Sequence, residues 1–287
     1  MHKQQGEAPQ APRPFFLVQD RNFSRRRLRL QWSCADSVQQ EQAMKLDGKA
    51  ALITGAARRI GREVALSLAR AGCDIIVHCN TSVRDAAALA REITALGRRA
   101  AVLKARLDRP AEIRRLAALA QKRFGRVDVL VNNASAFFPL ELGDITPRAM
   151  QQLIAVNTTA PLLLSQAILP GMKRRRCGKI INLLDISVER PWPGYMAYCA
   201  SKAALWSLTQ SLAIAAAPHV QVNGICPGAI LWHKGQSKAD IRRQTARIPA
   251  KRRGGPQDIA AAVVYLCQTD YVTGQKLVVD GGRSATW

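Results

Sequence analysis

The 287-residue chain is short of acids, of aromatics and of paired cysteines. Only 20 Asp and Glu stand against 43 Lys and Arg, a formal charge of +23. Aromatic residues make up 5% of the chain, and none forms an aromatic-basic motif of the kind that stacks on nucleic-acid bases. The seven cysteines, at 34, 73, 79, 177, 199, 226 and 267, are odd in number and include no C-x-x-C pair or His-Cys cluster. A disulfide scaffold is excluded, no metal is expected, and a reducing compartment, the cytoplasm, follows. Two uncharged stretches, 149–172 and 203–233, carry Gln, Asn, Thr or Ser throughout, with proline inside or after the helix, so neither reads as a membrane span. What is abundant is apolar material: 48% of residues, ordinary for one large domain or two small ones.

Residues 1–43 differ from the rest, being rich in Gln, Pro and Arg with no apolar periodicity. They read as a disordered basic extension, or as sequence upstream of a start at Met44. The residues from Met44 on still carry 36 basic and 16 acidic side chains, so the positive charge belongs to the folded domain. The charge reads as a solvated surface that also attracts an anionic cofactor and substrate, rather than as a nucleic-acid interface.

From Lys49 on, short apolar runs alternate with amphipathic stretches. Segments 50–55, 74–80, 100–107, 127–134, 179–186, 220–226 and 276–280 predict seven strands buried on both faces. Between them, 60–71, 83–96, 110–124, 148–172, 196–216 and 256–267 predict helices. A repeating β-α series demands an α/β fold: one Rossmann-type, doubly wound domain over 44–287, its sheet of about seven parallel strands covered by helices on both faces. The uncharged helices 148–172 and 196–216 are expected to pack against their equivalents in another subunit.

The first strand ends in Thr54-Gly55-Ala56-Ala57-Arg58-Arg59-Ile60-Gly61, at the start of a helix. A strand, a glycine turn and a helix N-terminus together suit a dinucleotide pyrophosphate, because glycine admits the backbone closely and the helix end supplies N–H donors. The second strand ends in His78-Cys79-Asn80-Thr81-Ser82, with no acid between Asp74 and Asp85. An acid there would hold the ribose 2′-hydroxyl and repel a 2′-phosphate, so its absence predicts NADP(H). Tyr198 and Lys202 lie four residues apart on one helix face, where a cation lowers the phenol's pKa from about 10 toward working pH.

With Asn132-Asn133-Ala134-Ser135 after the fourth strand, Pro227-Gly228 and Val279-Asp280-Gly281-Gly282, these motifs resemble, in order, those of the short-chain dehydrogenase/reductase superfamily over residues 46–287. The resemblance implies Tyr198 as general acid/base, Lys202 on the nicotinamide ribose, and Asn157 holding a water in the proton relay. It also implies cofactor contacts from Gly55, Arg59, Ile60, Gly61, His78, Asn80, Ser82, Asn133, Ala134, Ser135, Pro227 and Gly228. Two departures point further. Arg59 replaces the middle glycine of the turn, and Asp185 stands where a catalytic serine is expected, thirteen residues before Tyr198. Both, with Asn133-Ala134-Ser135-Ala136-Phe137, resemble pteridine reductases.

That resemblance implies a pterin or folate-like substrate with Phe137 stacked on its ring, and Ser135 and Arg59 on its polar edge. Asp185 would feed a proton to the reacting nitrogen through Tyr198 or a water. Arg106 occupies the position where relatives hold adenine with Asp, so adenine binding is either altered or taken over by Asp108, and Arg84 or His78 would supply charge to the 2′-phosphate. The substrate loop is expected at 229–256, with Lys251-Arg252-Arg253 meeting an acidic tail or solvent. The expected activity is NADPH-dependent reduction of dihydromonapterin, dihydrobiopterin or dihydrofolate. The alternatives are a 3-oxoacyl-type carbonyl reductase and a non-catalytic basic module, nucleic-acid-binding or regulatory. A homotetramer with Trp287 near a neighbour's site is also implied.

Overall fold

A computed structural model describes residues 44–232 and 235–286. The expectations for 1–43 and for Trp287 lie outside the described residues.

Seven parallel strands form one sheet: β1 (Ala50–Ile53), β2 (Asp74–Cys79), β3 (Ala100–Lys104), β4 (Val129–Asn132), β5 (Gly178–Leu183), β6 (Val220–Pro227) and β7 (Lys276–Val279), in the order β3-β2-β1-β4-β5-β6-β7. Helices α1 (Arg59–Arg70), α2 (Val83–Ala95) and α8 (Pro256–Gln268) bury Val64, Leu68, Leu89, Ile93, Ile259 and Val263 on one face of the sheet. The other face is covered by α3 (Pro110–Phe124), α5 (Ala160–Arg174) and α6 (Met196–Ala216), through residues such as Ile113, Leu116, Leu164, Ile168 and Ala213. The crossovers run outward in opposite directions from β1 and β4, so the crevice at their carboxyl ends is the topological switch point where such sheets bind ligands.

Three expectations need correction. The edge strands β3 and β7 are only half buried, because each has a neighbour on one side alone. The predicted helix 148–172 is three pieces: α4 (Pro147–Ile154), a π-helical turn at Ala155–Thr159, and α5. The added residue of a π turn re-aims the backbone where Asn157 sits. The stretch is long and apolar enough to cross a membrane by length and composition, but Leu153, Leu164, Ile168 and Met172 are buried in the packed core. Lastly, the 229–256 loop contains helix α7 (Lys238–Ala246), whose start is capped by the Ser237 hydroxyl accepting from the Asp240 N–H.

Candidate active site

The turn after β1 is built around its glycines. Gly55 has φ +62°, and a Cβ on Gly61 would lie 2.4 Å from the Gly55 carbonyl oxygen and 2.5 Å from Asn133 Nδ2. Arg59 takes φ +57°, the left-handed geometry of the glycine it replaces, at a cost of about 1–2 kcal/mol. Asn133 holds the turn from β4, its amide donating to the carbonyls of Thr54 (2.7 Å) and Gly55 (3.1 Å). Backbone N–H groups of Asn133 and Ala134 both donate to the Thr54 hydroxyl.

His78 does not do what was expected of it. Its ring is buried behind the turn, with Nδ1 accepting from the Gly55 N–H (3.1 Å) and Nε2 facing the Ala105 carbonyl (3.1 Å). Burial pulls its pKa down to about 4, so it is a neutral support for the turn and supplies no charge to a phosphate. Sequence reasoning missed the cation that does reach this end. Arg58 donates to the Ser82 hydroxyl and lies 3.4 Å from Asp85, at the β2 end of the cleft. Its signal was present, since a side chain leaving the β1 turn faces the end of β2, the adjacent strand.

Asn80, Arg106, Asp108 and Gln152 line a smaller cavity of about 330 Å³ beside the turn. There Arg106 forks onto Asp108, Nε to Oδ1 at 3.1 Å and Nη2 to Oδ2 at 2.6 Å, and this pairing holds the Asp108 carboxyl below its usual range. Asp108 is thus committed to Arg106 rather than standing ready as a replacement for the missing acid.

At the other end, Asp185 follows β5 and Tyr198 opens α6; the Tyr198 hydroxyl donates to Asp185 Oδ2 at 2.9 Å. Asp185 Oδ1 accepts from the Ser187 N–H (2.8 Å), which fixes the carboxyl. Lys202, buried beneath, donates to the Leu183 carbonyl (2.7 Å) and sits 5.9 Å from the Tyr198 ring centroid. Burial dominates all three groups: it raises the Asp185 pKa and pushes Lys202 down to about 8. Tyr198 is raised well above its ordinary value, by burial first and then by the Asp185 charge. The expectation that Lys202 brings the phenol toward neutrality is therefore overturned: Tyr198 is held as a protonated donor.

The side chain of Asn157 is fully used. Its Oδ1 accepts from Ala136 N–H (2.8 Å) and the Ser135 hydroxyl (3.1 Å), while Nδ2 donates to the Ala136 carbonyl and the Ser201 hydroxyl (both 2.9 Å). Four bonds exhaust a carboxamide, so the Asn157 side chain has no bond left for the expected relay water. Asn157 instead ties the 135–138 loop to α6. Phe137, 38% exposed, stacks on Tyr195 at 4.9 Å and 13° and meets Tyr198 edge-on at 4.7 Å. The expected Phe137 platform is thus one part of an aromatic wall with Trp192 and Tyr195, which the Pro191-Trp192-Pro193-Gly194-Tyr195 segment foreshadowed.

These pieces line one cleft of about 1480 Å³, from Arg58, Arg59, Ile60 and Gly61 past Ser135, Asp185, Tyr198 and Lys202 to Pro227 and Gly228. It exceeds an ordinary small-molecule pocket and has room for a dinucleotide and a second ligand. The glycine cradle, the helix N-terminus and Arg58 beside Ser82 fit a phosphorylated dinucleotide.

Comparison with known proteins agrees with this geometry. Residues 55–284 match the family model described as enoyl-(acyl carrier protein) reductase. The 7alpha-hydroxysteroid dehydrogenase of Escherichia coli (strain K12) is 34% identical over 83% of this chain and 95% of its own. Among solved structures, FolM alternative dihydrofolate reductase 1 from Brucella canis complexed with NADP superposes with TM-score 0.79 at 32% identity, covering 85% of this chain and 97% of that one. A blue fluorescent protein from a metagenomic library in complex with NADPH gives TM-score 0.78 at 34% identity, with 84% and 99% covered. The chain belongs to the short-chain dehydrogenase/reductase superfamily, as a pteridine-reductase-like member.

Proposed function

We propose that the chain reduces the C=N bond of a dihydropterin, such as dihydromonapterin, dihydrobiopterin or dihydrofolate, using NADPH. The observation that carries this is the 2.9 Å contact between Tyr198 and a half-buried carboxyl, where a carbonyl reductase needs only a hydroxyl. NADPH, when bound, supplies the hydride that goes to the ring carbon. Tyr198 gives its phenolic proton to the adjacent ring nitrogen, completing CH–NH from C=N. Asp185, 2.9 Å from the phenol oxygen, relays a replacement proton from solvent to it. Lys202 fixes the approach from beneath, and the Phe137–Tyr195 wall orients a flat ring. Gly55, Gly61, Asn133 and Ala134 form the pyrophosphate cradle, and Arg58 with Ser82 takes the 2′-phosphate.

Purified protein mixed with NADPH and 7,8-dihydrobiopterin or dihydrofolate is expected to lose nicotinamide absorbance. Turnover of ketones or oxoacyl thioesters with no pterin turnover would replace this reading by the carbonyl-reductase one. For the cofactor, Arg58→Gln is expected to raise the KM for NADPH about tenfold or more while moving that for NADH little, since one charge-assisted phosphate contact is lost. Equal effects on both cofactors would remove Arg58 from the 2′-phosphate.

The structure also supports self-association. The outer face of α6 presents Ala200, Ala203, Ser207, Ser211 and Ile214, the last 82% exposed, with no charge among them. We infer that two copies pair there as a step toward a tetramer. A single 31.4 kDa species in light scattering would refute it.

A further inference from the structure

The cleft is lined by seven cations, and Asp185 is its one acid among the described residues. Arg58 and Arg59 lie at the β1–β2 end and Lys202 lies under Tyr198, so these three serve the cofactor and the reacting centre. The remaining four, Arg243, Arg247, Lys251 and Arg283, gather at the opposite mouth, beyond β6 and β7. They come from two separate segments: α7 with the turn after it, and the chain following β7. These segments are locked together by Ala250 N–H donating to the Gly281 carbonyl (3.1 Å), with the Ile248 side chain packed against Gly281.

Nearby acids offset this mouth only in part. Asp240 takes Arg243 at 2.5 Å. Asp280 spends its carboxylate on the N–H groups of Gly282 (2.8 Å) and Ser284 (2.7 Å). Asp258 accepts from Gly255 N–H and faces Arg252, outside the cleft. Burial first, and then the like charge of Arg247, hold the Arg283 guanidinium below its usual pKa. Lys251 lines the cleft, its ammonium donating to the Ala246 carbonyl (3.1 Å) at the end of α7, while Arg252 and Arg253 lie outside the lining.

We propose that this mouth binds an anionic chain carried by the substrate's ring, either carboxylates or phosphate, with Arg243, Arg247 and Lys251 as its contacts. This rests on the dihydropterin reading and narrows it: the preferred substrate is an acidic conjugate rather than a neutral pterin. The position is apt, because one continuous cleft runs from Asp185 and Tyr198 to Arg243, Arg247 and Lys251. Several cations converging on flexible acidic groups also bind them in a salt-dependent way.

Two pairs of substrates differing only in tail charge address this: mono- against tri-glutamyl dihydrofolate, and a dihydropterin with a free against a phosphorylated side chain. The charged member of at least one pair is expected to show a KM lower by about tenfold or more, an advantage that shrinks as salt rises. Which pair responds identifies the anion. In R243Q/R247Q/K251Q the advantage is expected to vanish, with the neutral dihydropterin's KM and kcat unaltered. Equal KM values within both pairs, or an advantage that survives the triple variant, would overturn the inference while dihydropterin turnover leaves the reductase reading standing. If no dihydropterin is turned over, tri-γ-glutamate and inorganic triphosphate titrated into the NADP-loaded protein decide separately. Binding abolished by the triple variant supports the anionic mouth without the pterin, and absence of binding overturns both.

Discussion

Tyr198→Phe is expected to reduce NADPH-dependent turnover of dihydropterin by about 100- to 10,000-fold, the range a positioned proton donor contributes. NADPH affinity, read by quenching of nicotinamide fluorescence, is expected to stay within about twofold, because the cradle of Gly55, Gly61 and Asn133 is untouched. Among the described residues the phenol hydroxyl donates to Asp185, and the ring is enclosed by Phe137 and Trp192. Phenylalanine keeps those ring contacts and removes the hydroxyl with its proton and its bond to Asp185. A variant with more than a tenth of wild-type kcat would show that another group protonates the ring nitrogen.

Asp185→Ser is expected to lower dihydropterin kcat by about 10- to 100-fold and to change the shape of the pH profile. In the wild type the rate rises as pH falls through the elevated Asp185 pKa, because the protonated carboxyl reloads the phenol. It falls as pH rises through about 8, where Lys202 loses its charge. The serine variant is expected to lose the first dependence and keep the second. Its stability separates this from misfolding. A carboxyl whose folded pKa lies above its unfolded value contributes stability at low pH and loses it as pH rises through the folded pKa. At neutral pH the variant therefore escapes the burial of a carboxylate, and serine can still accept from the Ser187 N–H, so its Tm is expected to equal or exceed that of the wild type. Unchanged pterin kcat with an unchanged pH profile would end the proton role given to Asp185.

Elements with their own internal period were legible in advance. The β-α alternation gave all seven strands within a few residues, because buried parallel strands are unbroken apolar runs and the helices between them show a 3.6-residue stripe. The errors fell where a neighbour's identity matters. β3 and β7 read as fully buried because periodicity does not say which strands end the sheet. The π turn at 155–159 was invisible for a related reason: Asn157 buries four hydrogen bonds to residues 21 to 44 positions away, and those bonds hold the extra residue in place. Helix α7 escaped because its sequence has no apolar face and none of its residues is buried.

By itself the sequence determined the fold class, the glycine turn and the shared helix face of Tyr198 and Lys202, since each depends on spacing within one segment. Only the tertiary structure decided what those groups are chemically. Packing β5 against the start of α6 sets Asp185 on the Tyr198 hydroxyl, and burial with the Asp185 charge then keeps the phenol protonated. It likewise silenced His78 behind the turn, brought Arg58 to Ser82, and assembled the basic mouth from residues up to 40 positions apart. Desolvation and Coulomb interactions depend on distance in space and on excluded water, and neither is written along the chain.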